Sequence, residues 1–355
     1  MDKYRTDSHK LMYHVPRVND WLSGKPVYPV YMEVSPVGSC NHRCVFCAYD
    51  YIGHPNRKLD TPVFLNFIDE ISECGVKSLL YAGEGEPLLH SDIVRFITHS
   101  KIKGIDVGMY TNGQLMTEKV AEQIVSSLTF IRFSFSGGTD ENYAAIHGVA
   151  NGVFEKVIKN IERVVAIKHR DKLEADIGAQ FVLLPENMAF LTEAIRRLRD
   201  TGVDYFVIKP FVQQSRMQGY KMSKQFDLKE IDDVLNRAEA FSTSDFTVIA
   251  RKDSFRDYGK RNYRHCYGTS FISALNSAGD ISSCLPYWDN PEFAFGNINR
   301  NSFKEIWSGQ QREKIMKYLE TNLDVNTCSP NCRPNAVNEF LWGVKHRNIK
   351  HLNFI

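Results

Sequence analysis

No stretch of this sequence approaches the roughly 20 consecutive apolar residues that cross a bilayer. Its opening, MDKYRTDSHK, has no apolar core of the sort a secretory leader requires. An excess of one charge is missing too: 44 Lys and Arg stand against 42 Asp and Glu. A near balance gives no basic face, so nucleic acid is not an expected partner. Together these absences predict a cytoplasmic protein with no membrane partner. That setting bears on the eight cysteines. Reducing compartments disfavour disulfides, so cysteines there argue for metal binding or catalysis.

The cysteines fall in groups of three, one and four. The first group is Cys40-Asn41-His42-Arg43-Cys44-Val45-Phe46-Cys47, with C-x3-C-x2-C spacing, just after an apolar run at residues 30–34. Iron–sulfur clusters are normally held by four cysteine thiolates. A loop with three points to a cubane whose fourth iron takes an exchangeable partner. The rival reading is a zinc site or three unrelated buried thiols. Zinc loops usually pair one C-x2-4-C with another, and the next cysteine, Cys74, is alone. Cys74 follows Ile71 on the apolar face of a helix and reads as an ordinary core thiol.

Residues 1–28 are polar and aromatic with little periodicity and read as an extended N-terminal arm. From residue 29 the pattern alternates. Strands are predicted at 30–35, 76–81, 106–110, 130–135, 175–184 and 205–209. Helices lie between them. Thr61-Pro62 reads as an N-cap followed by proline at the first helical position, with Gly75 as the stop. Ser91 is expected to cap a helix to residue 102, and Thr117 one to residue 128. Further helices are expected at 153–168 and 188–200, then a helix at 228–241 and a strand at 246–250. Strands joined by single helices imply βαβ crossovers and a parallel sheet. Six units are too few for the usual closed eight-stranded barrel. The fold class is therefore α/β, a partial (β/α)6 TIM-like barrel, open and curved.

The cysteine loop after the first strand resembles that of the radical S-adenosylmethionine (radical SAM) superfamily, and the resemblance covers roughly residues 29–210. It implies a 4Fe-4S cluster on Cys40, Cys44 and Cys47, with SAM chelating the open iron and Phe46 near the adenine. Ligand sites of parallel α/β folds sit at the C-terminal ends of the strands. After the second strand comes Gly83-Glu84-Gly85-Glu86-Pro87, similar to the family's G-G-E-P element. Glu86 matches the carboxylate that holds the methionine ammonium, and Gly83 and Gly85 let the backbone approach closely. Glu84 stands where the family has glycine. After the third strand, Tyr110-Thr111-Asn112-Gly113 also recurs in the family, and reads equally as a structural turn. Ser134 and Ser136, two apart and so on one side of a strand, suit a ribose or carboxylate. Leu183-Leu184-Pro185 resembles the apolar contact to adenine. Lys209 ends the sixth strand and would meet an anionic group of substrate or SAM; a surface lysine is the alternative.

The second large group is Cys266, Cys284, Cys328 and Cys332. Residues 270–284 read as a β-hairpin with a cysteine before it and another at its end. Gly279 to Cys284, Phe295-Gly296-Asn297-Ile298 and Ser302-Phe303-Lys304-Glu305-Ile306-Trp307 resemble the SPASM and twitch extensions of radical SAM enzymes. A full SPASM domain carries more cysteines than these four, so the shorter twitch form is the better match. The resemblance implies an auxiliary 4Fe-4S cluster on the four; a four-thiolate zinc site is the alternative. Residues 335–347 are expected as a last helix, and the apolar tail at 351–355 is expected to dock on the core. The expected division is an arm at 1–28, a barrel core at 29–250 and a small C-terminal hairpin/helix auxiliary-cluster subdomain with tail at 251–355.

The resemblance implies an enzyme that cleaves SAM reductively to a 5′-deoxyadenosyl radical, supplied with electrons by a flavodoxin- or ferredoxin-type reductant. Four cysteines on the auxiliary cluster would leave it no free iron, which favours a net oxidation and an oxidoreductase. The expected substrate is a small polar metabolite: a sugar, aminocyclitol or nucleotide-linked sugar. An arm of 28 residues is too short for a separate peptide-recognition domain, since domains below about 40 residues rarely fold alone. Maturation of a ribosomally made peptide, by epimerisation or crosslinking, is the second hypothesis. A non-enzymatic, zinc-organised binding module is the third. No catalytic acid or base stands out among the many Tyr, Asp and His residues.

Overall fold

The computed structural model describes residues 9–214, 216–222, 226–256, 259–284, 287–346 and 350–354. Ten strands form one sheet: β1 Tyr31–Val34, β2 Ser78–Tyr81, β3 Asp106–Thr111, β4 Phe130–Ser134, β5 Asp176–Leu183, β6 Tyr205–Pro210, β7 Thr247–Ala250, β8 Ile272–Leu275, β9 Asp280–Ser282 and β10 Ala294–Asn297. The helices are α1 Val15–Leu22, α2 Thr61–Glu73, α3 Ile93–Ile102, α4 Glu118–Ile124, α5 Asp140–His147, α6 Val153–Arg170, α7 Leu191–Asp200, α8 Leu228–Glu239, α9 Lys252–Arg256, α10 Phe303–Ser308, α11 Gln310–Thr321 and α12 Asn335–His346. Strands β1 to β7 are neighbours in chain order and all parallel. This is the predicted partial barrel, open rather than closed.

Strand side chains alternate between two faces, and here the faces differ in kind. Met32, Val34, Leu79, Val107, Met109, Ile131, Phe133, Ile177, Phe181, Phe206 and Ile208 pack under the helices in the main core. The alternate positions carry Glu33, Tyr110, Arg132, Ser134, Gln180 and Lys209. Both faces of a parallel sheet are usually apolar. A polar inner face with Tyr110, Ser134 and Lys209 half-exposed is not the apolar packed centre of a closed barrel.

Several local expectations need correction. The arm is not extended over its described part: residues 11–13 form a 3-10 turn and α1 follows. Leu11, Val18 and Trp21 pack with Tyr267, Phe271 and Leu341. Arg17 fixes the arm through bonds to the carbonyls of Tyr28, Pro29 and Gly75. The cap of α2 is Asp60, whose carboxylate accepts the Val63 N–H, with Thr61 already helical. Asp92, not Ser91, precedes α3, and its side chain makes no cap bond. Thr117 does cap α4, through the Val120 N–H. Helix α5 has no counterpart in the expectation. The expected helix at 335–347 appears as α12 to His346; Arg347 and Ile355 lie outside the described residues. The tail does not dock: Leu352 and Phe354 are exposed. No helix among the described residues is long and apolar enough to cross a membrane.

The C-terminal hairpin is less separate than expected. Strand β8 pairs in parallel with β1, Tyr31 opposite Ile272 and Val34 opposite Leu275, and β9 and β10 add antiparallel beyond it. An open barrel leaves β1 with unpaired backbone groups, which proteins usually cover. The hairpin supplies that cover. A second tie runs through Glu84. Its carboxylate is wholly buried, accepts the Ser277 N–H at 2.7 Å and pairs with Arg57 at 2.9 Å. Arg57 also reaches Asp289 at 2.8 Å. Here lies the physical reason for glutamate at the position where the resembling element has glycine: Glu84 holds the hairpin turn against the loop after β2. Removing one partner of a buried pair costs about 3–5 kcal/mol, and the partial exposure of Arg57 favours the low end. Glu84→Ala is therefore expected to lower the melting temperature by roughly 5 °C or more, measured on cluster-loaded protein. An unchanged melting temperature would contradict the tie.

Candidate functional site

The cysteine loop follows β1 at the C-terminal end of the sheet and has little regular structure of its own. It is clamped from two sides. On one side lies Gly85. A side chain there would stand 2.3 Å from the Ser39 carbonyl and 2.4 Å from that of Val37, so only glycine fits. The Glu86 N–H donates to the Ser39 carbonyl at 3.0 Å. On the other side lies the end of α5. Arg43 N–H donates to the His147 carbonyl and Val45 N–H to that of Ile146, each at 3.0 Å. A side chain on Gly148 would meet the Arg43 carbonyl at 2.2 Å, and its φ of +60° also favours glycine. Cys40, Cys44 and Cys47 emerge from this clamp half-buried and free of disulfides.

The turn after β3 holds the loop from below. Asn112 donates from Nδ2 to the Asn41 side chain at 2.8 Å, and Gln114 Oε1 accepts from Asn41 and His42, each at 2.9 Å. Gly113 takes φ +76°. The Tyr110–Gly113 stretch is thus a structural turn that positions the cysteines. Glu86 is joined to the same turn. Its carboxylate accepts from the Thr111 hydroxyl at 2.6 Å, Asn112 N–H at 2.7 Å and Leu88 N–H at 3.1 Å. Burial pushes its pKa up to about 6. Three of roughly four acceptor positions on a carboxylate are taken, and one remains.

The two predicted serines part company. Ser134 stays half-exposed on the inner face. Ser136 is fully buried, and its hydroxyl accepts the Val182 N–H at 3.1 Å. Phe46 sits with Val182, Leu184 and Met217 in a small apolar cluster at the mouth, while Leu183 faces the main core. Gly83, at φ +106°, lies against Ser35 and Trp288. Lys209 is half-buried at the inner end of β6.

Sequence reasoning missed His147. It is fully buried, stacked on Tyr143 at 4.1 Å and edge-on to Phe46 at 5.5 Å. The Ser136 N–H donates to His147 Nε2 at 2.9 Å. Burial holds its pKa well below the usual histidine range, so the ring is neutral. With Nε2 accepting, the proton must be on Nδ1, and Nδ1 lies 3.3 Å from the Cys44 sulfur. His42, Cys44 and His147 offer ligand atoms within 4.8 Å of one another. They are nonetheless no metal site, because a protonated Nδ1 cannot ligate. A cue was present in the sequence: Thr139-Asp140-Glu141 is an N-cap followed by first-turn acids.

In the C-terminal group, burial pushes the Cys328 and Cys332 thiols up, and Cys266 lies close enough to both to add to the effect. Tyr287 neighbours Cys284, Cys328 and Cys332. A tetrahedral zinc site would bring its sulfurs to roughly 3.8 Å from one another, given zinc–sulfur bonds of about 2.3 Å. Neither cysteine set gathers that tightly among the described residues.

Comparison with known proteins agrees. Residues 34–198 match the Radical SAM superfamily, and residues 266–333 match SPASM, an iron–sulfur cluster-binding domain. The chain is 31% identical over 314 residues to GTP 3′,8-cyclase of Clostridium botulinum, spanning 81% of this chain and 96% of that one. It is 30% identical over 293 residues to AdoMet-dependent heme synthase of Methanosarcina barkeri, spanning 77% and 80%. Streptococcus suis SuiB bound to precursor peptide SuiA superposes with a TM-score of 0.66 at 14% identity, over 87% of this chain and 71% of that chain; that likeness is one of fold.

The His147 geometry gives a prediction. An N–H donor to a cluster thiolate favours the more negative, reduced state, and such bonds tune cluster potentials. His147→Phe should lower the midpoint potential of a cluster on Cys40, Cys44 and Cys47. A tenfold loss in the reduction equilibrium corresponds to about 59 mV. His147→Gln, which keeps a donor, should recover part of it. A redox titration followed by electron paramagnetic resonance reads both, and equal potentials in all three proteins would refute the role.

Proposed function

The chain belongs to the radical SAM superfamily and carries that family's SPASM iron–sulfur region, and on that premise we propose that it oxidises a small polar metabolite. Cys40, Cys44 and Cys47 hold the SAM-binding 4Fe-4S cluster, and Cys266, Cys284, Cys328 and Cys332 hold an auxiliary one. When bound, the first cluster with SAM supplies a 5′-deoxyadenosyl radical for hydrogen abstraction, and the second supplies an acceptor for the electron left on the substrate.

The protein's own groups do the rest. Gly83 and Gly85 do not face SAM; they let the loop after β2 pack against Ser35, Trp288 and the carbonyls of Val37 and Ser39. That packing sets Glu86 so that its free acceptor position receives the SAM ammonium. Phe46 and Leu184 keep the adenine side of the mouth apolar and dry. Ser134 offers a hydroxyl to the ribose or carboxylate. Ser136 does not contact SAM; it fixes the Val182 backbone and the tautomer of His147. An external one-electron reductant of the flavodoxin or ferredoxin type supplies the reducing equivalents.

The observation that carries the substrate class is the polar, half-exposed inner face with Tyr110, Ser134 and Lys209. The names of the relatives at 30–31% identity, a GTP cyclase and a heme synthase, support a small molecule in the same way. A peptide substrate is the second reading, favoured by the fold likeness to peptide-bound SuiB.

Three measurements test this function. Anaerobic reconstitution should yield about eight irons as two 4Fe-4S clusters, and a Cys40/Cys44/Cys47→Ala variant should retain about half. Stoichiometric zinc would overturn it. Glu86→Ala should weaken SAM binding roughly tenfold or more, the scale of a charge-assisted hydrogen bond, with both clusters intact; unchanged affinity would move the ammonium contact elsewhere. A folded Cys328→Ala/Cys332→Ala variant should still form 5′-deoxyadenosine under strong reductant yet release no oxidised product. Normal product formation would make the auxiliary cluster structural.

A further inference from the structure

An open cleft borders the C-terminal cysteine set. It measures about 580 Å³ and is lined by Arg261, Asn262, Tyr263, Arg264, Asn326 and Trp342. None of the six is acidic. Arg261, half-buried, ties this wall to the cysteines. Its Nη2 donates to the carbonyls of Cys328 at 3.2 Å and Ser329 at 2.5 Å, and its Nη1 to that of Gly259 at 3.3 Å. Carbonyls satisfy its donors but bring no net charge. Arg264 is exposed, and neither arginine is paired with a carboxylate among the described residues. Asp324, two residues before Asn326, is committed to its own 3-10 turn. It accepts the backbone and side-chain N–H groups of Asn326 at 3.0 Å each.

The positive charge continues along α12. Trp342 stacks on Tyr267, with ring centres 6.1 Å apart at 18°. Lys345 is exposed and lies three residues on from Trp342. Its ammonium stands 4.2 Å from the Tyr267 ring centre and 5.2 Å from that of Trp21. Aromatic faces attract a cation without cancelling it. Two arginines and a lysine thus flank a half-exposed tryptophan. Trp and Arg are enriched where proteins dock, and complementary charge steers the partner.

We propose that this face docks an acidic one-electron carrier protein, which there collects the electron that the oxidation leaves on the auxiliary side. The inference rests on the oxidation proposed above. Electrons balance over one turnover. One enters to cleave SAM, and the hydrogen atom taken from the substrate ends in 5′-deoxyadenosine. The substrate radical then loses one proton to solvent and one electron. An oxidised carrier of the flavodoxin or ferredoxin type is the final acceptor of that electron. Arg261 spans the gap between the cleft and the Cys328 backbone, so a carrier seated here stands one side chain from the cysteine set.

Binding tests this without turnover. Cluster-loaded protein is titrated calorimetrically with an oxidised flavodoxin of strongly acidic surface, in the absence of substrate and reductant. Flavodoxin should bind measurably, and more weakly as salt is raised. Arg264→Glu and Lys345→Glu should each weaken it roughly tenfold or more, because a like charge then faces the partner. Lys159→Glu makes an equal change of net charge on the exposed side of α6 and should leave binding unchanged. Iron content and circular dichroism establish that each variant is folded, and Lys345→Gln replaces Lys345→Glu if that variant fails either check. Equal flavodoxin affinity in wild type, Arg264→Glu and the Lys345 variant overturns the surface. Equal weakening by Lys159→Glu does so too, since net charge alone would explain it. Inorganic phosphate is titrated at the same ionic strength. Phosphate heat that vanishes in Arg264→Glu, with no flavodoxin binding, would assign the cleft to a small anion and overturn the docking. Failure to form oxidised product would sink the oxidation while leaving this measurement readable.

Discussion

A loop with little secondary structure must present three thiols in one fixed arrangement, and that constraint shapes much of the molecule. Backbone polar groups in such a loop need partners. They find them in two places with no slack between. Gly85 and Gly148 allow carbonyl oxygens of the loop to approach within distances that any side chain would block. Between these contacts, Asn41 and His42 share the Gln114 carbonyl oxygen. Glu86 anchors the turn that carries Gln114. Its buried carboxylate thus clasps the loop and the turn together.

Helix α5 shows how a small element earns a large effect. It is eight residues long and ends at His147 and Gly148. Its last turn delivers two carbonyls to the cysteine loop, an imidazole to Cys44 and, through Nε2, an acceptor for Ser136. Ser136 in turn accepts from Val182. One short helix therefore links the loop after β1 to the ends of β4 and β5. Disturbing any member of that chain moves the others, so the sulfur environment is set by packing across three strands.

Much of this was legible from residue order alone, for identifiable reasons. The C-x3-C-x2-C loop, the βα rhythm and the glycines after β2 are local signals, and each element appears within a few residues of its expected place. What escaped was set by tertiary contacts. Helix α5 is short and presents only Tyr143, Ala144, Ile146 and His147 to the interior, too few turns for a periodic pattern. Asp60 displaced Thr61 as a cap because both are good caps and the geometry of one turn decides. The role of Glu84 depends on Arg57, Ser277 and Asp289, partners up to 205 positions away in sequence from Glu84. The pairing of β8 with β1 likewise joins strands that no local pattern connects. The apolar tail misled because hydrophobicity at an end says nothing about whether a groove exists to receive it.

The two cysteine groups are mechanically joined through the barrel. Strand β8, between Cys266 and Cys284, lies beside β1, whose C-terminal end opens into the first cysteine loop. Arg333 immediately follows Cys332 and reaches Glu33 on that same strand. Glu84, two residues from Glu86, grips Ser277 in the hairpin turn. The C-terminal region is thus bound to the barrel at a strand edge, at the Arg333–Glu33 ion pair and at the loop after β2. Each tie costs desolvation or backbone freedom that a merely tethered domain would not need. Such expense makes sense if the distance and orientation between the two cysteine sets must not vary. Electron movement between sites requires a fixed separation, whereas a purely structural metal knot requires only its own ligands.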